Sequence, residues 1–170
     1  YGRYEVVMQP SNTSGVISSF FTYTGPWFKN PHDEIDIEFL GKDTTSVYVN
    51  RFTAGKKLKG QFLPLGFDAS KRPELYAFEW RPDSIIWHAA GKELYRTTLE
   101  DGPLPTHPSK IYINLWAGYN PTQELWAGRV ADDATGAAKY FCVSYRAFDD
   151  DGPQCSDHFP PRAGAGGADR

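Results

Sequence analysis

Residues 33–40, DEIDIEFL, alternate carboxylate and apolar side chains with a period of two. In a β-strand, successive side chains point to opposite faces of the sheet. This stretch therefore predicts a strand whose isoleucine and phenylalanine side chains enter a core. The opposite face then carries three carboxylates in a row, Glu34, Asp36 and Glu38.

Short runs of β-forming residues also occur along the rest of the chain, among them RYEVVMQ, GVISSFFTYT, SVYVNRFT, LYAFEWR, SIIWHAA, KIYINLWAG and KYFCVSYRAF. Gly, Pro, Asn and Asp separate these runs, and no stretch keeps a helical period over three turns. The segment FEWRPDSIIW predicts a hairpin around a Pro-Asp-Ser turn. Together these patterns predict an all-β fold, a β-sandwich or jelly roll with a concave substrate-binding sheet.

The length of 170 residues is enough for one domain with a sizeable core, which we place at residues 1–150. Residues 151–170 end in PPRAGAGGADR, and this small, polar composition predicts a largely disordered extension. A net charge of −3 and scattered basic residues argue against a nucleic-acid partner. No apolar run approaches the roughly 18 residues of a membrane helix, so we expect no membrane partner.

The two cysteines, Cys142 and Cys155, lie 13 positions apart near the end of the chain. They are either free thiols or, in a secreted protein, a disulfide that fixes the C-terminal extension. Two cysteines are too few for a zinc site without histidine ligands, and the four histidines show no ligand spacing. We therefore predict no metal site from these residue types.

The row of carboxylates has two interpretations. It is a solvated outer face, or it is a catalytic group, because three like charges on one face cost stability unless something compensates. Side chains two positions apart are about 6.6 Å apart along a strand. Glu34 and Glu38 can thus lean toward each other over Asp36, to the roughly 5–5.5 Å separation of retaining glycosidases. Such crowding separates the two acidities, so that one glutamate is an acid and the other a nucleophile.

A calcium site built from Asp33, Asp36 and Asp43 is a further interpretation of the acidic stretch. A flat strand does not wrap alternate carboxylates around one ion, and the loops lack the spacing of a calcium-binding loop. The pattern therefore favours acid–base chemistry over calcium binding.

The stretch DEIDIEFLGKDTT resembles the catalytic strand of glycoside hydrolase family 16, in particular its lichenase-type endo-β-1,3-1,4-glucanases. The segments YGRYEVVMQP, SSFFTYTGP, LGFDAS, YAFEWRPDSIIW and INLWAG resemble family segments in the same order. The resemblance implies that Glu34 is the nucleophile, Asp36 an assisting carboxylate and Glu38 the general acid/base, with no cofactor. It also implies sugar-binding roles for seven residues: Phe21, Tyr23, His32, Asn50, Phe52, Asn114 and Trp116.

Several positions depart from the lichenase pattern. His32 replaces a tryptophan that lichenases often carry, and Phe52 replaces a tyrosine. Phe141 lies where many lichenases have a calcium-binding aspartate, so a structural calcium is not expected. The segments KNPHDEIDIE and GPQC also resemble the succinoglycan-depolymerase branch of the family. Since the family has several tens of residues before the segment YGxYEV, we expect a chain that is truncated at its N-terminus.

The hypothesis that follows is a retaining endo-β-glucanase acting on mixed-linkage β-1,3-1,4-glucan, secreted, bacterial and monomeric, with a polysaccharide as its only partner. Three alternatives remain open at this point. They are a depolymerase of an exopolysaccharide such as succinoglycan, a glycan-binding module without catalysis, and an enzyme that transfers the glycosyl group to another sugar instead of water.

Overall fold

The computed structural model describes residues 1–159, which form two antiparallel β-sheets with short helical segments in the connections. The strands in this range are β1 (Gly2–Gln9), β2 (Val16–Thr24), β3 (Asp33–Leu40), β4 (Ser46–Thr53), β5 (Lys56–Lys57), β6 (Gln61–Pro64), β7 (Glu74–Trp80), β8 (Ser84–Ala89), β9 (Lys92–Thr98), β10 (Lys110–Ala117) and β11 (Lys139–Arg146). The α-helices are α1 (Pro121–Ala127) and α2 (Cys155–His158), and 3-10 turns occupy Pro26–Phe28, Ala69–Lys71 and Leu99–Asp101.

The first sheet has the strand order β11-β1-β7-β8-β9, and the second has the order β10-β2-β3-β4-β5 with β6 also paired to β4. The predicted hairpin is present as β7 and β8, closed by a turn in which the Arg81 N–H donates to the Ser84 carbonyl at 2.8 Å. The all-β sandwich predicted from the sequence is confirmed. Helix α1, the short strands β5 and β6, and the strand β9 were not predicted, because none carries a long periodic pattern.

The core lies between the two sheets and fixes the central strand β3. Ile35, Ile37 and Phe39 are buried in it, as the alternation predicts. Trp87 reaches across from the first sheet, and its indole N–H donates to the backbone carbonyl of Asp36 at 3.0 Å. Each such buried side chain contributes roughly 1.5–3 kcal/mol, so the strand that carries the acidic row is held rigidly.

Asp33 anchors the first residue of β3 and is almost completely buried. Its carboxylate accepts hydrogen bonds from the backbone N–H groups of Ala54, Thr106 and His107, and from Nδ1 of His107 at 2.8 Å. Burial raises the pKa of Asp33, but these donated hydrogen bonds outweigh it and hold the pKa below its usual value. Asp33 therefore ties β3 to the turn after β4 and to the loop before β10.

The calcium site considered from Asp33, Asp36 and Asp43 does not form. Asp33 and Asp36 point to opposite faces of β3, and Asp43 accepts hydrogen bonds from Thr45 in the turn that follows. Within residues 1–159, no group of three or more histidine, cysteine or acidic side chains is arranged to hold a metal ion.

Cys142 and Cys155 form a disulfide that joins β11 to helix α2, which decides between the two alternatives left open by the sequence. Ser156 in this helix donates its backbone N–H to Glu5 on β1 at 2.8 Å. The extension predicted from residue 151 therefore has a defined conformation up to residue 159. The rest of that prediction, residues 160–170, lies outside the described residues. No helix within the described range is long and apolar enough to cross a bilayer.

Candidate active site

The three carboxylates of β3 lie in the middle of the outer face of the second sheet. Residues that are directly opposite on antiparallel strands share a face. On β2, the partners of Glu34, Asp36 and Glu38 are Tyr23, Phe21 and Ser19 in that order. On β4, their partners in the same order are Phe52, Asn50 and Tyr48. The register thus surrounds the acidic row with aromatic and amide side chains.

Strand β10 continues the same face on the other side of β2. Its Tyr112 lies opposite Phe21, and its Asn114 lies opposite Ser19. Trp116 follows two positions later, opposite Ile17, and so also belongs to this face. We call the outer face of strands β10, β2, β3 and β4 the site face.

A cavity of about 340 Å³ opens over the acidic row. Six of the ten predicted site residues line it, namely Glu34, Asp36, Glu38, Asn50, Phe52 and Trp116. The other four lie beside it, with Phe21, Tyr23 and Asn114 on the site face and His32 immediately before β3. The structure therefore brings all ten predicted residues to one region, and their roles toward a sugar remain predictions.

Burial raises the pKa of Glu38 to about 7, with Glu34 adding to the rise and Lys57 opposing it. Burial also raises the pKa of Asp36 well above its usual value, and the charges of Glu34 and Glu38 raise it further. A carboxyl group that is buried and surrounded by like charge favours its neutral form. The raised pKa values of Asp36 and Glu38 favour their protonated forms, and a carboxyl group that holds its proton near neutral pH is what general acid catalysis requires.

The aromatic side chains of the site face present flat surfaces beside the carboxylates. Phe21 stacks on Tyr112 with 5.3 Å between ring centroids, and Trp116 stacks on Trp126 at 6.1 Å. Flat rings of this kind cover the apolar faces of sugar rings, and amide groups such as that of Asn50 bond the hydroxyls.

Five residues that the sequence analysis missed also line the cavity: Tyr48, Lys57, Thr122, Gln123 and Trp126. Tyr48 continues the period-two pattern of Asn50 and Phe52 on β4 and could have been found from it. Lys57 on β5 carries no such signal, because only the pairing of Phe52 with Lys57 brings its ammonium group to the cavity. Thr122, Gln123 and Trp126 come from helix α1.

Helix α1 had a local signal that the sequence analysis did not use. Asn120 caps the helix by accepting from the Gln123 N–H at 3.0 Å, and Pro121 occupies the first helical position. Gln123 in turn accepts from the Tyr119 N–H at 3.1 Å. The segment NPTQ is thus a helix start, and it places a wall over one side of the cavity.

Comparison with known proteins gives one family and closely similar solved structures. The model of glycosyl hydrolases family 16 matches residues 1–135. A β-glucanase of Bacillus subtilis is 50% identical over 136 residues, which are 75% of this chain and 55% of that protein. The chain therefore spans about half the length of this curated relative.

Two solved structures have the same fold. The Bacillus licheniformis β-glucanase superposes with a TM-score of 0.80 at 44% identity, covering 85% of this chain and 65% of its own. A prokaryotic β-1,3-1,4-glucanase (lichenase) derived from a mouse hindgut metagenome gives a TM-score of 0.79 at 44% identity, with the same coverage of both chains.

Proposed function

The chain belongs to glycoside hydrolase family 16, and from that premise we propose that it is a retaining endo-β-glucanase that cleaves internal bonds of mixed-linkage β-1,3-1,4-glucan. The observation that carries the proposal is the cavity in which Glu34, Asp36 and Glu38 lie together, with Glu38 at a pKa of about 7. The names of the similar solved structures support the β-glucan substrate.

In the first step, Glu34 attacks the anomeric carbon and forms a covalent glycosyl-enzyme ester. The bond from that carbon to the leaving oxygen breaks, and Glu38 donates its proton to this oxygen. A pKa of about 7 keeps Glu38 protonated in weakly acidic and neutral solution, so the proton is available when the bond breaks.

In the second step, Glu38 is a carboxylate and accepts a proton from water, which attacks the same carbon and releases Glu34. Asp36 lies between the two glutamates on the same face of β3, and its interaction with Glu34 contributes to its raised pKa. Burial raises the pKa of Asp36 and favours its neutral form, in which its O–H can donate a hydrogen bond to Glu34 and hold the nucleophile in place. The proposed chemistry uses the side chains of this chain alone and needs no cofactor.

A second candidate function is depolymerisation of an exopolysaccharide such as succinoglycan. The observation that favours it is His32, which contacts Glu34 at a position where lichenases often have tryptophan. A glycan-binding module without catalysis explains the aromatic residues but not the three carboxylates in one cavity. Transfer of the glycosyl group to a sugar uses the same covalent intermediate and differs only in the acceptor.

We further propose that the protein works outside a bacterial cell as a monomer with a polysaccharide as its partner. The disulfide between Cys142 and Cys155 supports an oxidising, extracellular compartment. The Bacillus subtilis β-glucanase, which matches 75% of this chain, supports a bacterial source.

The test is release of reducing ends by the purified chain on mixed-linkage β-glucan and on succinoglycan, with product analysis for transfer. Cleavage of the first polymer supports the β-glucanase, and cleavage of the second alone supports the exopolysaccharide depolymerase. E34Q and E38Q are the matched variants, and each should abolish cleavage while circular dichroism remains unchanged. Near-normal rates in either variant contradict the assignment, and binding without cleavage by the unaltered chain supports a binding module.

A further inference from the structure

The imidazole of His32 makes a direct contact with the carboxylate that we assign as the nucleophile. Its Nε2 lies 2.6 Å from Oε2 of Glu34, the distance of a short, charge-assisted hydrogen bond. Both side chains are partly buried, with 30% of the His32 side chain and 19% of the Glu34 side chain exposed. A hydrogen bond at this depth is partly shielded from competition with bulk water.

Two aromatic rings hold the imidazole in this orientation. The ring of Phe52 stacks on it with 4.6 Å between centroids and 17° between planes. The ring of Tyr23 meets it edge-on at 5.1 Å. Because Phe52 and Tyr23 are also the direct neighbours of Glu34 on the two flanking strands, the same residues position the imidazole and border the carboxylate.

The backbone at His32 is fixed as well. Its carbonyl accepts the N–H of Gly55 at 2.8 Å, and the next residue, Asp33, is anchored by four hydrogen bonds from two loops. The imidazole therefore has a fixed backbone, a fixed ring plane and one polar partner on Nε2.

We infer that His32 is a positioning residue for the nucleophile rather than a sugar contact: it holds Oε2 of Glu34 and leaves the other carboxylate oxygen free to attack. This inference rests on the proposed function of the same site. Asp36 lies two positions further along β3 on the same face, and the influence of Glu34 on its pKa shows that the two carboxyl groups interact. The other carboxyl and amino groups that line the cavity beside Glu34 belong to Asp36, Glu38 and Lys57.

Loss of this contact is expected to affect the rate more than substrate binding. A misplacement of a reacting group by about 1 Å can cost about 100-fold in rate. A contact to substrate alone would instead change KM, because it acts equally on the bound substrate and the transition state.

The test uses two substitutions of His32 in the full chain. H32F keeps an aromatic ring between Phe52 and Tyr23 but removes the N–H donor. H32Q places an amide N–H near the position of Nε2 and is the conservative control. We expect H32F to lower kcat about 30-fold with KM changed less than about twofold, and H32Q to recover most of the loss.

Three kinetic results overturn the inference. They are an H32F variant with normal kcat and raised KM, an H32F variant with normal kinetics, and equal losses in H32F and H32Q, which indicates a packing role. A wild-type chain that cleaves neither polymer contradicts the proposed function instead.

NMR of the histidine side chains distinguishes failure of the inference on His32 from failure of the proposed function, because it needs no substrate. We expect the Nε2–H signal of His32 to be protected from exchange with water in the wild type and in E38Q, and lost in E34A. The same protection in all three proteins, or in none, overturns the contact between His32 and Glu34.

Discussion

The outer faces of the two sheets both carry buried or half-buried carboxylates, but the charges around these carboxylates differ. On the outer face of the first sheet, Arg3 pairs with Glu5 at 2.6 Å and with Glu79 at 3.0 Å, and Arg81 pairs with Glu79 at 2.6 Å. Burial raises the pKa of Glu79, but the hydrogen bond and charge of Arg81 outweigh it and lower the pKa overall.

On the site face, three carboxylates share one cavity with the ammonium group of Lys57. Here burial and the repulsion between neighbouring carboxylates outweigh the attraction of Lys57, so the pKa values of Asp36 and Glu38 are raised. We infer from this difference that buried carboxylates are structural where arginines pair with them, and chemically reactive where burial beside like charges raises their pKa. Matched substitutions on the two outer faces test this contrast.

The largest expected difference is in catalysis. E38Q removes the proton donor and should lower kcat/KM by about 10³-fold or more. E79Q, a matched change on the outer face of the first sheet, should leave kcat/KM within about twofold, because Glu79 lies away from the cavity. Steady-state kinetics on the same polymer measure both. A comparable loss in E79Q would show that the two faces do not differ in the way we describe.

The second expected difference is in how stability depends on pH. The pKa of Glu38 is higher in the folded chain, at about 7, than its ordinary value of 4.5, so the folded state holds this proton more tightly. The resulting stabilisation is full below pH 4.5 and is lost as pH rises through 7. Relative to E38Q, the wild type should lose up to about 3 kcal/mol of unfolding free energy across this range.

Urea unfolding of the wild type and E38Q at pH 4.5 and pH 8 measures this change. A constant difference between the two proteins across this range contradicts the raised pKa of Glu38. Comparison of the wild type with E79Q sharpens the result, because the lowered pKa of Glu79 gives the opposite sign: its stabilisation is present at high pH and is lost on acidification.

The third difference concerns Glu5, which is completely buried and accepts from Arg3 and from the backbone of helix α2. E5Q should lower the unfolding free energy by about 2 kcal/mol, since it leaves Arg3 without its closest anion. Activity per folded molecule should be unchanged. Thermal unfolding and kinetics at a temperature well below the transition separate the two effects, and a stable E5Q with reduced kcat is the contrary outcome.

The smallest expected effect comes from the cation of the site face. Lys57 lowers the pKa of Glu38, so K57M should raise it and extend activity to higher pH. We expect the alkaline limb of the kcat/KM profile to move up by about half a pH unit. K56M is the control, because Lys56 is exposed on the same short strand and does not line the cavity. A downward shift in K57M, or an equal shift in K56M, contradicts this role.

Much of the fold and of the site could be predicted from local patterns in the sequence. The period-two alternation in β3 predicted both its buried face and its acidic row, and the pairing of β2, β3 and β4 then brought Phe21, Tyr23, Asn50 and Phe52 around the row. Such alternation is visible because a strand repeats every two residues, whatever its partners are.

Contacts between distant segments could not be predicted in the same way. Lys57 reaches the cavity only through the turn between β4 and β5, and Asp33 accepts hydrogen bonds from loop residues more than 70 positions away. The bond between His32 and Glu34 spans two residues, but it forms because Phe52 and Tyr23 hold the imidazole. These features depend on tertiary packing, which no single stretch of sequence encodes.

The central claim, that burial beside like charges holds Glu38 protonated near neutral pH, is tested most directly by NMR titration of its side-chain carboxyl carbon. Selective ¹³C labelling of glutamate gives the signals, and the one missing in E38Q belongs to Glu38. We predict a titration midpoint of about 7. A midpoint near the ordinary value of 4.5 would contradict the account.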